Sequence, residues 1–169
     1  MIKNIVKTDD GLEGEFWNEL FETDMEIYIS NENKLSYAEK CAEYFSNMPD
    51  ELVDRLCKYC IRYCEEMRDV LDEEDMEVPD GIKGREILSY ITPSVLIIEE
   101  KCDESIIEFH VECGCDWEIE HGLEITIKDN KILYVGSYDD MPPYYQERIE
   151  HTGYYDENKD MNMNYVDRE

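Results

Sequence analysis

The 169-residue chain predicts an α+β fold. The expected architecture is an antiparallel β-meander of about four strands over residues 94–137, packed against two or three helices, with a short N-terminal β-hairpin. Three observations predict it. Apolar residues recur with helical spacing from residue 36 to 71. They alternate with polar residues from 105 to 135. The length suits one domain, and 42% hydrophobic residues suffice for a core. The chain therefore reads as a single domain, 1–169, in four parts: N-terminal strands (1–30), a helical part (36–91), the sheet (94–137) and a tyrosine-rich tail (139–169).

In residues 1–30, Asp9-Asp10-Gly11 is turn chemistry, and Met25-Glu26-Ile27-Tyr28-Ile29 alternates as a strand does. Tyr37, Cys41, Tyr44 and Phe45 form one stripe of a helix over 36–47, broken at Met48-Pro49. Pro49-Asp50-Glu51 opens the next helix, because proline needs no donor there and acids suit the positive end of the helix dipole. Its seam is Val53, Cys57, Cys60, Cys64, Met67 and Leu71, widened by Leu52, Leu56, Tyr59 and Tyr63. Asp72-Glu73-Glu74-Asp75 opposes the dipole and should end it. Lys83 to Ile91 suits a short helix stopped by Thr92-Pro93. Strands follow at 94–100, 105–113, 123–128 and 132–135, with Asp129-Asn130 as a tight turn. The meander should bury one face under the helices and leave the other wet.

The acids outnumber the bases 44 to 16, a formal charge of −28. Such a chain repels phosphate backbones and anionic lipid, so neither nucleic acid nor membrane is an expected partner. A basic protein is, with the chain itself a monomer or weak dimer. The N-terminal residues contain no apolar run of signal-peptide length, and no stretch approaches bilayer-spanning length. With seven cysteines, an odd number, this predicts reduced thiols and a cytoplasmic location.

Three constellations could carry chemistry. Cys57-Lys58-Tyr59-Cys60 with Cys64 and Cys41 offers soft ligands, but these positions are a helix seam, where free cysteine acts as a small hydrophobe. Cys113-Gly114-Cys115 with His121 offers a metal or small ligand a site; its spacing matches no standard zinc knuckle, and His110 should lie on the opposite strand face from Cys113. Glu118, Glu120 and His121 offer an acid–base pair, yet no nucleophile or phosphate-binding loop accompanies them. The plainer reading of Trp117 to Leu123 is a structural turn between strands, with Trp117 packed on the sheet edge and Gly122 in a conformation other residues avoid. No catalytic residue, metal ligand or cofactor is therefore assigned. Acid runs at 72–77, 99–104, 116–120 and 156–160 together give a field of one sign that speeds encounter with a basic protein.

Residues 113–140 also carry the pattern C-x-W-E-x-E-H-G-L, then a strand, an Asp-Asn turn and V-G-x-Y-D, through Cys115, Trp117, Glu118, Glu120, His121, Gly122, Leu123, Gly136, Tyr138 and Asp139. This resembles a poorly characterised bacterial domain family whose members look like immunity proteins of polymorphic-toxin systems. Asn130 stands where that pattern more often has a turn glycine. The resemblance implies no catalytic residues. With the charge, it leads to an expected function: a non-enzymatic acidic module, an immunity protein that neutralises a basic bacterial toxin. The expected contact residues are Trp117, Glu118, Glu120, His121, Tyr138, Asp139 and Asp140, with Trp117 and exposed tyrosines as anchors inside an acidic rim. The alternative is a metal- or small-ligand-binding regulatory domain using Cys113, Cys115 and His121.

Overall fold

A computed structural model describes residues 1–70, 78–152 and 164–167. The acid runs at 72–77 and 156–160, Leu71, Tyr154 and Tyr155 lie outside the described residues. Seven strands form one sheet in chain order: β1 (Lys3–Lys7), β2 (Leu12–Asn18), β3 (Thr23–Ile29), β4 (Ile91–Ile98), β5 (Glu108–Cys115), β6 (Leu123–Lys128) and β7 (Lys131–Gly136). Every neighbouring pair is antiparallel except β3 and β4, which run parallel. A parallel pair needs a long crossover. Here it holds α1 (Leu35–Ser46), α2 (Asp50–Val70) and a 3-10 helix, Gly84–Tyr90.

The α+β class stands, but the sheet is larger than the expected four strands beside a separate hairpin. Three N-terminal strands join the meander through the β3–β4 pair. β2 alternates strictly, burying Leu12, Gly14, Phe16 and Asn18. Its inward glycine and asparagine hide that period from a reading by hydrophobicity. β1 is exposed throughout and pairs only with β2. Lys3 and Lys7 on this edge discourage pairing with another chain.

The two long helices cover one face. On α2, Leu52, Val53, Leu56, Cys57, Tyr59, Cys60, Tyr63 and Cys64 are buried, as their spacing requires. Phe45 of α1 meets Phe109 of β5 edge-on at 5.6 Å, and Tyr63 of α2 meets Trp117 in the same way at 5.9 Å. All seven cysteines are free and buried. Burial pushes the Cys41 and Cys57 thiols up to about 11 and those of Cys102 and Cys115 up to about 12, so they stay protonated and serve as packing.

The second face is not uniformly wet. After β7 the chain turns back through a 3-10 turn (Pro143–Tyr145) into α3 (Gln146–His151). This segment lies over β5–β7, packing Met141 and Ile149 around Tyr134. Residues 139–152 are therefore a fold element rather than a loose tail. Asn164 serves the outer edge of β7: its side chain accepts from Val135 N and donates to Leu133 O, while Tyr165 N donates to Val135 O. Over β2 and β3 the second face keeps exposed residues such as Glu13, Glu15, Asp24 and Glu26.

Candidate functional site

The register sets two rows of side chains across the second face. One reads Glu13, Tyr28, Ile97, His110, Thr126, Tyr134; the other reads Glu15, Glu26, Val95, Glu112, Glu124, Gly136. The rows pass from open surface at β2–β4 to buried ground under the 139–151 segment. Two candidate sites follow, one at each end.

At the open end the face is acidic. Glu13, Glu15, Asp24 and Glu26 are exposed, with Trp17 beside them at 44% exposure. A groove of about 380 Å³ runs over β1–β4, lined by Val6, Glu13, Glu15, Glu26, Tyr28 and Val95. Glu15 and Glu26 are direct cross-strand partners with no ion pair among the described residues; Glu15 also stands opposite Lys3 of β1 and accepts Asn4 Nδ2 at 2.7 Å. Like charges so placed destabilise a sheet. Sequence reasoning passed over these residues because it sought acids in runs. The usable signal is that acids and Trp17 share one parity in β2, and Asp24 and Glu26 share one in β3.

At the covered end, His110 of β5 is buried completely, as is Glu124 of β6. His110 Nδ1 lies 2.8 Å from Glu124 Oε1. The same carboxylate accepts Met141 N at 2.8 Å and Asp139 N at 3.0 Å. Both of its oxygens already accept backbone N–H groups, so Nδ1 is the donor in the pair. Among the described residues His110 Nε2 has no hydrogen-bond partner; Glu99 Oε1 stands 3.6 Å away, beyond hydrogen-bond length. Asp140, in left-handed backbone at φ 49°, completes a cluster with Glu99 and His110. Burial alone would pull His110 down, but its hydrogen bond to Glu124 and the neighbouring Glu99 outweigh this and push the imidazole up to about 9. Burial, then Glu124, pushes the nearby Tyr138 phenol up to about 12. His110 was expected on a half-wet strand. It is enclosed because the 139–151 segment covers it.

The expected contact residues divide. Trp117 is 1% exposed and packs on Tyr63, which corrects its assignment as a surface anchor: its indole belongs to the core. Glu118 is also largely buried; its carboxylate accepts Glu120 N at 3.0 Å and His121 N at 2.7 Å, closing the β5–β6 turn. Gly122 has φ +66°, and a Cβ there would stand 2.4 Å from Cys113 O. The motif Trp117 to Gly122 is thus the turn itself. Glu120, His121 and Asp140 are exposed; Tyr138 and Asp139 are half-buried, and Arg148 Nη2 donates to Asp139 Oδ2 at 2.9 Å. Cys113 and Cys115 are buried while His121 is exposed, so the three do not converge. Among the described residues, the groups that could hold a cation are Glu99–His110–Asp140 and Glu118–Glu120–His121, and neither contains a thiol.

A profile of DUF6985, a domain of unknown function, matches residues 3–142. The chain belongs to the DUF6985 family. No curated protein and no solved structure is significantly similar to it. The DUF6985 region takes in all seven strands, both long helices, the acidic face and the whole Glu99–His110–Glu124–Asp140 cluster. It ends just before the 3-10 turn and α3. Among the described residues of this DUF6985 chain, no helix is long and apolar enough to cross a membrane.

Proposed function

We propose that this DUF6985 chain is a non-enzymatic binding module whose acidic sheet face engages a basic protein, and that it acts as an immunity protein against a basic bacterial toxin. The observation that carries the reading is the Glu15–Glu26 pair: two exposed acids directly opposite each other on neighbouring strands, with no ion pair among the described residues, two positions from an exposed Trp17. A basic side chain from a partner would relieve that repulsion, and Trp17 and Tyr28 would supply apolar contact within an acidic rim. The charge of −28 favours fast encounter with a cationic surface. The resemblance over residues 113–140 supplies the toxin context, and its motif residues act mainly by shaping the turn. The contact face therefore moves from the Trp117 turn to β2–β3.

The test mixes the chain with the protein encoded by the adjacent gene at about 20 mM salt, well below physiological screening. The expected result is a complex that weakens as salt rises, and that Glu15→Lys with Glu26→Lys weakens at least about tenfold, a loss of roughly 1.4 kcal/mol. No complex at low salt, or one indifferent to the double reversal, overturns the reading.

A further inference from the structure

We propose that Glu99, His110 and Asp140 form a binding site for one divalent first-row transition cation of the zinc class. This site is separate from the acidic sheet face and does not depend on it.

The ligand set is one imidazole nitrogen and two carboxylates, with all three ligand atoms within 4.8 Å of one another. Such a mixed set suits zinc and its neighbours, and three protein ligands leave a position open. The decisive observation is His110 Nε2, a polar atom in a fully buried side chain that has no hydrogen-bond partner among the described residues. Orphaned buried nitrogens are costly, and this one faces Glu99 and Asp140. Its 3.6 Å separation from Glu99 Oε1 is too long for a hydrogen bond. Two donors bound tetrahedrally to one zinc at about 2.0–2.1 Å stand roughly 3.3–3.5 Å apart, close to what is found.

The surroundings suit the same role. Metal-bound histidines generally donate their other N–H to a carboxylate, which fixes the tautomer and raises ligand basicity. Glu124 does this for His110, leaving the Nε2 lone pair for the cation. Glu124 also accepts the backbone N–H groups of Asp139 and Met141, so one carboxylate sets both the imidazole and the turn that presents Asp140. Asp140 is exposed, which gives the ion a way in. Once bound, the ion would join the end of β4, the middle of β5 and the segment after β7.

The full-length chain, stripped with chelator and dialysed free of it, is titrated with Zn²⁺ and separately with Co²⁺. One equivalent should bind and raise the melting temperature. The Co²⁺ complex should show weak visible bands without the intense near-ultraviolet absorption of a thiolate ligand, which separates this site from the cysteines. Glu99→Gln and Asp140→Asn should each weaken binding about tenfold or more while the metal-free proteins melt close to the parent. Glu120→Gln with His121→Ala, at the other carboxylate–histidine group, should leave it unchanged. No stoichiometric uptake, thiolate absorption, or uptake that survives Glu99→Gln and Asp140→Asn but fails in the Glu120/His121 variant would each overturn the assignment.

Discussion

Among the described residues, His110 is the histidine whose folded environment shifts its titration upward. Its folded pKa of about 9 lies above its ordinary 6.5. A group raised on folding stabilises fully below its unfolded pKa, and that contribution fades as pH climbs through the folded value. In metal-free protein the stability should therefore decline between about pH 6.5 and 9, by a few kcal/mol at most. The thiols act with the same sign in a later window, because Cys41 and Cys57 rise from 9.0 to about 11. Their contribution is lost above roughly pH 9. Urea midpoints at several pH values, with chelator present, should show both regions. His110→Gln should flatten the first and leave the second. A parent protein equally stable at pH 6.5 and 8.5 would contradict this account of the buried cluster.

Elements differ in how firmly they are held, and in how plainly the sequence announces them. α2 presents a two-row apolar face, so its place and burial could be read from spacing alone. β5 and β6 were equally plain from their alternation. The β3–β4 junction was not: parallel pairing across a helical crossover leaves no local mark, because partners such as Ile27 and Leu96 are far apart in sequence. α3 was missed because one residue, Ile149, carries its docking, too little to make a period. The His110–Glu124 pair was hidden for a related reason. Polar residues on alternate strand positions imply a wet face, and only the returning segment turns that face into interior. The turn at Trp117 to Gly122, by contrast, was legible as structure, because only a glycine tolerates what Gly122 does. These differences predict unequal mutational costs. Leu56→Ala, in the fully buried seam of α2, should cost the whole fold about 2–5 kcal/mol. Ile149→Ala should instead release α3 locally, speeding exchange of the amides around Met141 while leaving the global urea midpoint much nearer the parent. Equal global losses from both would show that α3 is integral to the main cooperative unit.

For the whole molecule, charge is the dominant long-range term. The excess of 28 negative charges opposes compaction, because folding gathers carboxylates that the unfolded chain spreads apart. Salt acts on this in two opposite ways. It weakens exposed pairs such as Lys7–Glu32, Lys58–Asp167 and those of Arg85 with Asp50 and Asp54. Such exposed pairs contribute little each. It also screens the far more numerous repulsions, whose range shrinks from about 30 Å at 0.01 M to about 10 Å at 0.1 M. Screening of repulsion should win. The melting temperature should climb by several degrees as sodium chloride rises from about 10 to 300 mM, since roughly 1 kcal/mol moves a chain of this size by about 2–4 °C. Potassium chloride should act alike, because the effect depends on ionic strength. A melting temperature that falls over this range would mean that attractive pairs outweigh the net field. The acidic face would then be neutralised within the chain and have little need of a cationic partner.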